Sequence, residues 1–461
     1  MQADLSRLIF RPEKRFSAVV TQQGRVRLDS EDNEQALINL HTTRTLAADL
    51  IGRHGGPSDA LGFGITYVPK GKDPADLRIT TGRYYVDGIG VDAAVPPVGV
   101  PVPDEDEPAT DAAVDGWTYW TQPDAYVDPL RDKEIDHLPD LPFLAYLKVT
   151  ERLVTHLQDP EIRETALGTT LPDTSARLKV TWQVLPLTGL TVGERPTKDQ
   201  LRAAFDEWAR GTVSTGKLAA RTEKPAKTDD NPCLTAPDSR YRGPENQLYR
   251  IEVHRGGDKP TFKWSRENAS VTFGVSSVDE AVVTLTDLGR DAKLDLDIGD
   301  WVEVVDDAYD ARGVTSPLLQ VVDIDTERLR VELSGTPDAE VGRLAARHPF
   351  LRRWDHRAPT GRGAKELVDG AVSLTAGGWL DVEDGLQVWF TGGTYHAGDY
   401  WLVAARTLNG DVEWPRDTRG RPLLREPHGL RHHYAPLAWV RGGESVDDLR
   451  MEFTPAARPR P

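Results

Sequence analysis

Short stretches of alternating apolar and polar residues recur through the second half of the chain. They are separated by turn residues, chiefly Gly, Asp and Pro. This pattern is typical of strands in β-barrels or sandwiches, and it differs from the strand–helix alternation of a parallel α/β sheet. The strands predicted after Leu248 are Tyr249–His254, Thr261–Trp264, Ser270–Val275, Ala281–Thr286, Trp301–Val305, Leu318–Ile324, Leu329–Leu333, Trp379–Val382, Leu386–Phe390, Tyr400–Ala405 and Tyr434–Val440.

Two segments of the first half have the apolar period of an amphipathic helix. Ser30 or Asp32 can cap the first helix, and Gly52 ends it. Thr197 and Gln200 form a capping-box pattern at the start of the second, predicted over 197–210. The residues predicted to share one broad face of the first helix are Ala36, Leu37, Leu40, Ala47, Leu50 and Ile51.

The rest of the first half predicts extended structure. Residues 1–28 are predicted to be extended, with a turn or bulge at Gly24. An Asp87-Gly88 turn is expected to join two strands within Tyr84–Ile89. The remaining strands predicted before residue 190 are 65–68, 77–79, 143–157 and 178–184, and a helix is the alternative for 143–157.

These elements predict a mainly β, α+β chain of several modules, with small β-barrels or sandwiches and an N-terminal helix. The first module is an α+β attachment module over 1–92, followed by a Pro-rich acidic linker or long loop over 93–142. A central mixed module is expected over 143–247, with the helix at 197–210 and a long loop after it. The C-terminal β module is expected over 248–461, where Asp297–Gly313 resembles the opening of a small β-barrel.

Composition excludes several classes of protein. The 461 residues carry a formal net charge of −17, which opposes binding to nucleic acid or to an anionic membrane. The single cysteine, Cys233, leaves no internal disulfide to form. The chain lacks a signal-peptide core and an apolar run of about 18 residues. We therefore expect no nucleic-acid partner, no membrane insertion and a cytoplasmic origin.

Several stretches of the chain resemble known proteins. The stretches are Ser6-Arg7, Phe10, Pro12, Lys14 and Phe16, Gln22–Val26 with Leu28-Asp29 and Asn33-Glu34, Thr81–Gly88, Tyr146 with Asp159–Gly168 and Val180–Val184, Phe262–Asn268 and His432–Ala438. The N-terminal stretches are similar to a motif of phage tail and baseplate proteins, and the others match a large uncharacterised family associated with contractile injection systems. The resemblance implies a component of a phage-tail-like particle and assigns no activity.

The sequence offers no catalytic, cofactor or metal site. It has no P-loop and no Gly-x-Ser-x-Gly motif. His356, His396, His428, His432 and His433 are the best metal candidates, but adjacent histidines on a strand point to opposite faces. Acidic clusters lack the spacing of a calcium loop. We predict no enzyme activity, no catalytic residues, no cofactor and no metal.

Protein–protein contact is the remaining source of function. The candidate interface residues are Gln22, Gln23, Arg25, Asn33, Glu34, Trp117, Trp120 and Tyr126. A second aromatic group is expected to lie mostly in the core, but it could bind a glycan. Its members are Trp379, Trp389, Tyr395, Tyr400 and Trp401.

The favoured interpretation is a structural subunit at the baseplate of such a particle or at its periphery, as a cage or fibre-adaptor element. Its expected partners are baseplate, spike or sheath proteins, in a symmetric multi-copy assembly that can be released from the cell. The alternative is a receptor- or glycan-binding tip protein. An enzyme acting on polysaccharide is the least favoured.

Overall fold

The architecture was obtained from a computed structural model. It describes residues 2–96, 98–100, 110–112, 116–130, 136–168, 173–222, 240–289, 293–357, 367–442 and 445–455. Within these ranges the chain is mainly β, with three α-helices, several open sheets and one closed six-stranded barrel. The predicted fold class, including the N-terminal helix, is confirmed.

The helices are α1 (Asp29–Ile51), α2 (Lys198–Gly211) and α3 (Asp307–Arg312). The strands are β1 (His54–Pro57), β2 (Ile65–Val68), β3 (Asp76–Ile79), β4 (Arg83–Val86), β5 (Ile89–Asp92), β6 (Val98–Val100), β7 (Thr110–Ala112), β8 (Trp117–Thr118), β9 (Phe143–Val154), β10 (Arg177–Leu187), β11 (Leu218–Thr222), β12 (Gln247–Arg255), β13 (Thr261–Ser265), β14 (Thr272–Asp279), β15 (Val282–Leu285), β16 (Trp301–Val305), β17 (Leu319–Asp325), β18 (Arg330–Leu333), β19 (Phe350–Trp354), β20 (Leu367–Val368), β21 (Ala371–Ser373), β22 (Trp379–Asp381), β23 (Leu386–Phe390), β24 (Tyr400–Arg406), β25 (Asp411–Glu413), β26 (His432–Gly442), β27 (Ser445–Asp448) and β28 (Glu452–Phe453).

The chain forms two compact units, and each is assembled from three separate segments. Unit 1 comprises Met1–Gln35, Arg152–Lys179 and Ser214–Leu430, and unit 2 comprises Ala36–Glu151, Val180–Val213 and Arg431–Pro461. The sequence-based modules, in contrast, were consecutive. The difference arises because strands far apart in sequence pair with each other, which local patterns do not encode.

Unit 1 contains the closed barrel and two open sheets. The barrel order is β14-β15-β18-β17-β16-β19, and its interior is filled by aliphatic side chains with Phe273 and Phe350. A six-stranded sheet has the order β20-β21-β13-β12-β24-β25, and a three-stranded sheet has the order β11-β23-β22. Trp264, Trp401 and Phe390 lie in the core that these two sheets share, where burial of their large apolar surface stabilises the fold.

Unit 2 is built on smaller sheets. One is ordered β28-β1-β4-β5, another β2-β3-β8, and a third, β10-β9-β26-β27, lies mainly in this unit. The predicted capping box starts α2: Thr197 Oγ1 accepts from the Gln200 amide at 3.3 Å, and Gln200 Oε1 accepts from the Thr197 amide at 2.9 Å. Helix α2 buries Leu201 and Phe205 against Tyr146 of β9.

Two of the predicted loops contain ordered structure. In the stretch expected to be a linker, β8 pairs with β3, and Tyr119 is buried. In the loop expected after 211, Leu218–Thr222 forms β11, paired with β23. A five-residue strand of Leu, Ala, Arg and Thr has too few apolar residues to stand out from its sequence alone. Residues 97, 101–109, 113–115, 131–135 and 223–239 lie outside the described residues.

Helix α1 differs from its prediction in the face that it buries. Along its 23 residues, only Ser30 and Ile38 are fully buried. Leu46 and Leu50 are 59% and 77% exposed, although Leu50 was predicted to lie on the apolar face.

Among the helices of the described residues, none has the length and apolar character needed to cross a membrane.

Candidate interaction surface

The first residues of the chain are anchored on unit 1. Leu5 and Leu8 pack against a small cluster that includes Leu248 and Tyr400. Arg7 donates to both carboxylate oxygens of Glu413, at 2.9 and 3.0 Å. These charge-assisted contacts, both from Arg7 Nη1, and the apolar contacts together hold this part of the chain.

Ser6 joins this anchor to the start of helix α1. Its amide donates to Asp29 Oδ2 at 2.9 Å, and its hydroxyl donates to Asp29 Oδ1 at 2.6 Å. Burial acts to raise the pKa of Asp29, but the hydrogen bonds from Ser6 and from the Ser30 amide outweigh it and lower that pKa. The segment between Leu8 and Asp29 therefore leaves the anchored region and returns to it.

The outer part of this excursion, residues 15–28, is here called the N-terminal arm. Arg25 donates from its amide to the Gln22 carbonyl at 3.3 Å, and Gly24 has φ +69° between them. Glycine suits this backbone conformation, as in a type II turn. The candidate residues Gln22, Gln23 and Arg25 are all exposed at the tip of the arm.

The arm presents apolar side chains to solvent. Phe16 is 55% exposed, Val20 80%, Val26 82% and Leu28 45%. A scattered exposed apolar residue needs no explanation, but four within thirteen residues of one segment are unusual. Asn33 and Glu34, also predicted as interface residues, follow on α1 and are half-buried.

The other predicted interface residues pack inside unit 2. Trp117 donates from its indole to the Ala93 carbonyl at 3.1 Å, and Trp120 donates to the Ala75 carbonyl at 3.1 Å. Both rings lie against the main core of this unit, and Tyr126 is half-buried nearby in the chain with φ +53°. The structure thus separates these three residues from the exposed group at the arm.

A cluster of buried charges in unit 1 was missed by the sequence analysis. Lys263 Nζ lies 2.7 Å from Glu303 Oε2 and 3.5 Å from Glu252 Oε1. Arg250 Nε lies 2.5 Å from Glu252 Oε2, and Arg352 Nη1 lies 3.3 Å from Glu303 Oε1. All five residues are less than 9% exposed, and they line a cavity of about 90 Å³.

Strand β12 explains why these charges were overlooked. Arg250, Glu252 and His254 alternate with Tyr249, Ile251 and Val253. Such alternation normally indicates one solvent-facing side, yet both faces of β12 are buried. The sequence indicates this cluster only through acidic and basic residues that lie on the same face of β12. Exposed strands show the same pattern, so it does not indicate burial.

Electrostatics in this cluster follow from burial and pairing. Burial opposes ionisation of Glu252, but Arg250, Lys263 and Arg352 lower its pKa to about 2. Burial is the main cause that lowers the pKa of His254 to about 3, and Lys263 adds to it. His254 is therefore neutral, and the paired cluster has the character of a structural network.

Ser214, His396 and Asp399 form an arrangement that invites comparison with a serine hydrolase. Ser214 Oγ lies 2.6 Å from His396 Nδ1 and donates to Asp399 Oδ2 at 2.5 Å. In a catalytic triad the histidine stands between the serine and the carboxylate. Here both the carboxylate and the imidazole contact the serine hydroxyl directly, so the Ser–His–Asp order of a catalytic triad is not reproduced.

The predicted metal candidates are held by different partners. His432 Nδ1 lies 2.8 Å from Thr150 Oγ1, and His433 Nδ1 lies 2.8 Å from Asp87 Oδ2. His356 Nε2 bonds the Gly370 carbonyl, and His428 stacks on Tyr400. Across the described ranges, no group of three or more His, Cys, Asp or Glu side chains could hold a metal ion.

The fold and its surface define a β-rich protein with an exposed N-terminal arm and internally paired polar clusters. The chain belongs to a family of unknown function, DUF6519, whose model matches residues 1–210 and 188–448. No curated protein matches the chain.

Proposed function

We propose that this protein is a non-enzymatic structural subunit of a phage-tail-like contractile injection particle, at the baseplate or its periphery. In this role it holds neighbouring proteins in register through the N-terminal arm. The particle is suggested by the resemblance of the N-terminal motif to phage tail and baseplate proteins. The observation that carries the assembly role is the arm itself, anchored at both ends and exposed between them.

The energetics of the arm support this role. Burying a Val or Phe side chain stabilises a complex by about 1.5–3 kcal/mol relative to leaving it in water. Val20 and Val26 are at least 80% exposed, so most of this free energy is left for a partner. The anchored base limits the conformational entropy that the arm loses on binding.

The polar clusters support it as well. The charges around Lys263 are paired with one another, and the Ser214 hydroxyl is held by Asp399 and by His396. Each therefore has a structural explanation within the fold. The arm has none, since its apolar side chains contribute little to either core.

The test is to purify particles from cells that carry a Val20→Asp/Val26→Asp variant. We expect wild-type chain to co-purify with sheath, tube and spike proteins at a fixed ratio, and the variant to be lost from the particle. Leu408→Asp is a matched control, because Leu408 is an apolar residue of unit 1 that is 94% exposed outside the arm. Equal incorporation of the arm variant and the wild type would refute the assembly role of the arm.

The alternative, a receptor- or glycan-binding tip protein, has one favourable feature. Trp379 and Trp389 are half-buried with ring centroids 5.7 Å apart, and the Arg221 guanidinium lies 3.9 Å from the Trp379 ring. The other aromatic candidates of this region, Tyr395, Tyr400 and Trp401, are buried. Glycan binding by purified chain that is abolished by Trp379→Ala would favour this alternative.

A further inference from the structure

The N-terminal arm combines a backbone with few hydrogen bonds, exposed apolar side chains and a positive charge on an otherwise acidic chain. We propose that the arm binds a second copy of this same chain, by adding an extended segment to an exposed sheet edge of that copy. The inference rests on the proposed function and names the partner of the arm.

The backbone of the arm is available for pairing. Between residues 16 and 27, the described residues form one backbone–backbone hydrogen bond, from the Arg25 amide to the Gln22 carbonyl. The Val19 amide donates to Gln35 Oε1 at 2.7 Å. The other peptide groups of these extended limbs lack a protein partner in the described chain, which is the condition of an unpaired strand edge.

The side chains match a half-buried strand. Phe16, Ala18 and Val20 lie at alternate positions of the first limb and are exposed, whereas Val19 between them is half-buried. Val26 and Leu28 lie on either side of Arg27 in the second limb. An added strand buries alternate side chains in this way, while its main-chain groups bond the neighbouring edge.

Charge selects the partner. The arm contains Arg15, Arg25 and Arg27 and no acidic residue. The whole chain carries −17, of which the arm contributes +3, so the remainder carries −20. Arg27 pairs with Asp32 of the same chain, which leaves Arg15 and Arg25 for a partner. A second copy therefore carries a net charge opposite to that of the arm, and such complementarity favours encounter.

Acceptor edges are present in the described part of the chain. Strand β5 and strand β27 each end a sheet, and each pairs with one neighbour only. Strand β5 ends in Asp92, and β27 ends in Asp447-Asp448, which pair with Arg441 and Arg450 of the same chain. Either edge can receive an extended basic segment, and the proposal requires only that the edge belongs to another copy.

The test uses the purified full-length chain alone. Sedimentation velocity over a concentration series should reveal self-association, and amide exchange in residues 16–27 should slow as concentration rises. Val20→Asp/Val26→Asp should weaken the association by about tenfold or more, as should Arg25→Glu. Leu408→Asp should leave it unchanged, and added salt should weaken it in the wild type.

Two results would overturn the proposal. One is a monomer with unprotected arm amides at every concentration. The other is self-association that is unaffected by the arm variants. Failure here is distinguishable from failure of the proposed function, because the arm could still be required for the chain to enter the particle beside a different protein.

Discussion

Ser6 and Asp29 are 23 residues apart in sequence and are joined by two hydrogen bonds, of 2.6 and 2.9 Å. The contact brings together the two ends of the N-terminal motif. Asp29 also begins helix α1, where a carboxylate is favoured by the positive end of the helix dipole. The hydrogen bonds between Ser6 and Asp29 thus hold the two ends of the arm close together.

Opening this closure should loosen the anchor. Asp29→Ala removes both acceptors of Ser6, and we expect a cost of about 1 kcal/mol, near the value of a typical hydrogen bond or helix cap. In hydrogen exchange, the amide of Ser6 should then exchange about fivefold faster. Asp49→Ala, an exposed carboxylate on the same helix, is the control. Unchanged exchange at Ser6 in Asp29→Ala would show that the two bonds do not hold the base.

Removing one member of the buried charge cluster should be costly. Lys263→Met leaves Glu303 and Glu252 without their shared cation, and loss of one partner of a buried pair costs about 3–5 kcal/mol. Chemical denaturation followed by tryptophan fluorescence would measure the loss, and a variant that fails to fold agrees with it.

The control for this change lies on strand β12. Arg255 pairs with Asp369 at 3.0 Å, and both side chains are more than half exposed. Arg255→Met should cost less than about 1 kcal/mol, as is usual for surface pairs. Similar losses for the two variants would contradict the structural importance given to the buried network.

The capping box of helix α2 gives a milder expectation. Thr197→Ala removes the acceptor of the Gln200 amide, which should destabilise unit 2 by about 1 kcal/mol. Thr45→Ala, at an exposed position inside α1, should cost nothing, because alanine favours helix interiors. Denaturation midpoints of the two variants provide the comparison. An equal loss in both would argue against a specific role of the cap.

Local patterns predicted elements better than they predicted their assembly. The strands around Asp87-Gly88 and helix α2 follow from turn chemistry and capping, which act over a few residues. The pairing of β9 with β26 joins residues almost 300 positions apart, and no short-range pattern specifies it. The turn at Gly24 was predicted from its residues. The contact between Ser6 and Asp29 was not, because the two residues are 23 positions apart.

Burial of charged and aromatic side chains was also difficult to predict from the sequence. Charged residues at alternate positions are typical of a strand with one solvent-facing side, whereas the structure buries Arg250 of β12 against Glu252 and the ring of Tyr400. Trp117 and Trp120 lie in an acidic, Pro-rich context, yet both join a core. In each case the deciding contact is with a distant segment of the chain.

Stability should decrease on mild acidification because two histidines are buried in their neutral form. Burial lowers the pKa of His254 to about 3 and that of His356 to about 4. Between these values and the ordinary histidine pKa of about 6.5, the unfolded chain binds protons that the native chain does not. The free energy of unfolding therefore falls with falling pH, by up to about 1.4 kcal/mol per pH unit for each histidine.

Urea denaturation between about pH 6 and pH 4.5 measures this slope. His254→Gln should lower the slope of the unfolding free energy against pH by the contribution of one proton. The double variant with His356→Gln should lower that slope by the contribution of two protons. The carboxylate of Glu252, with a pKa of about 2, loses its stabilising charge only at still lower pH and leaves the difference between variants intact. A slope that is identical in the wild type and both variants would mean that neither ring is held neutral by burial.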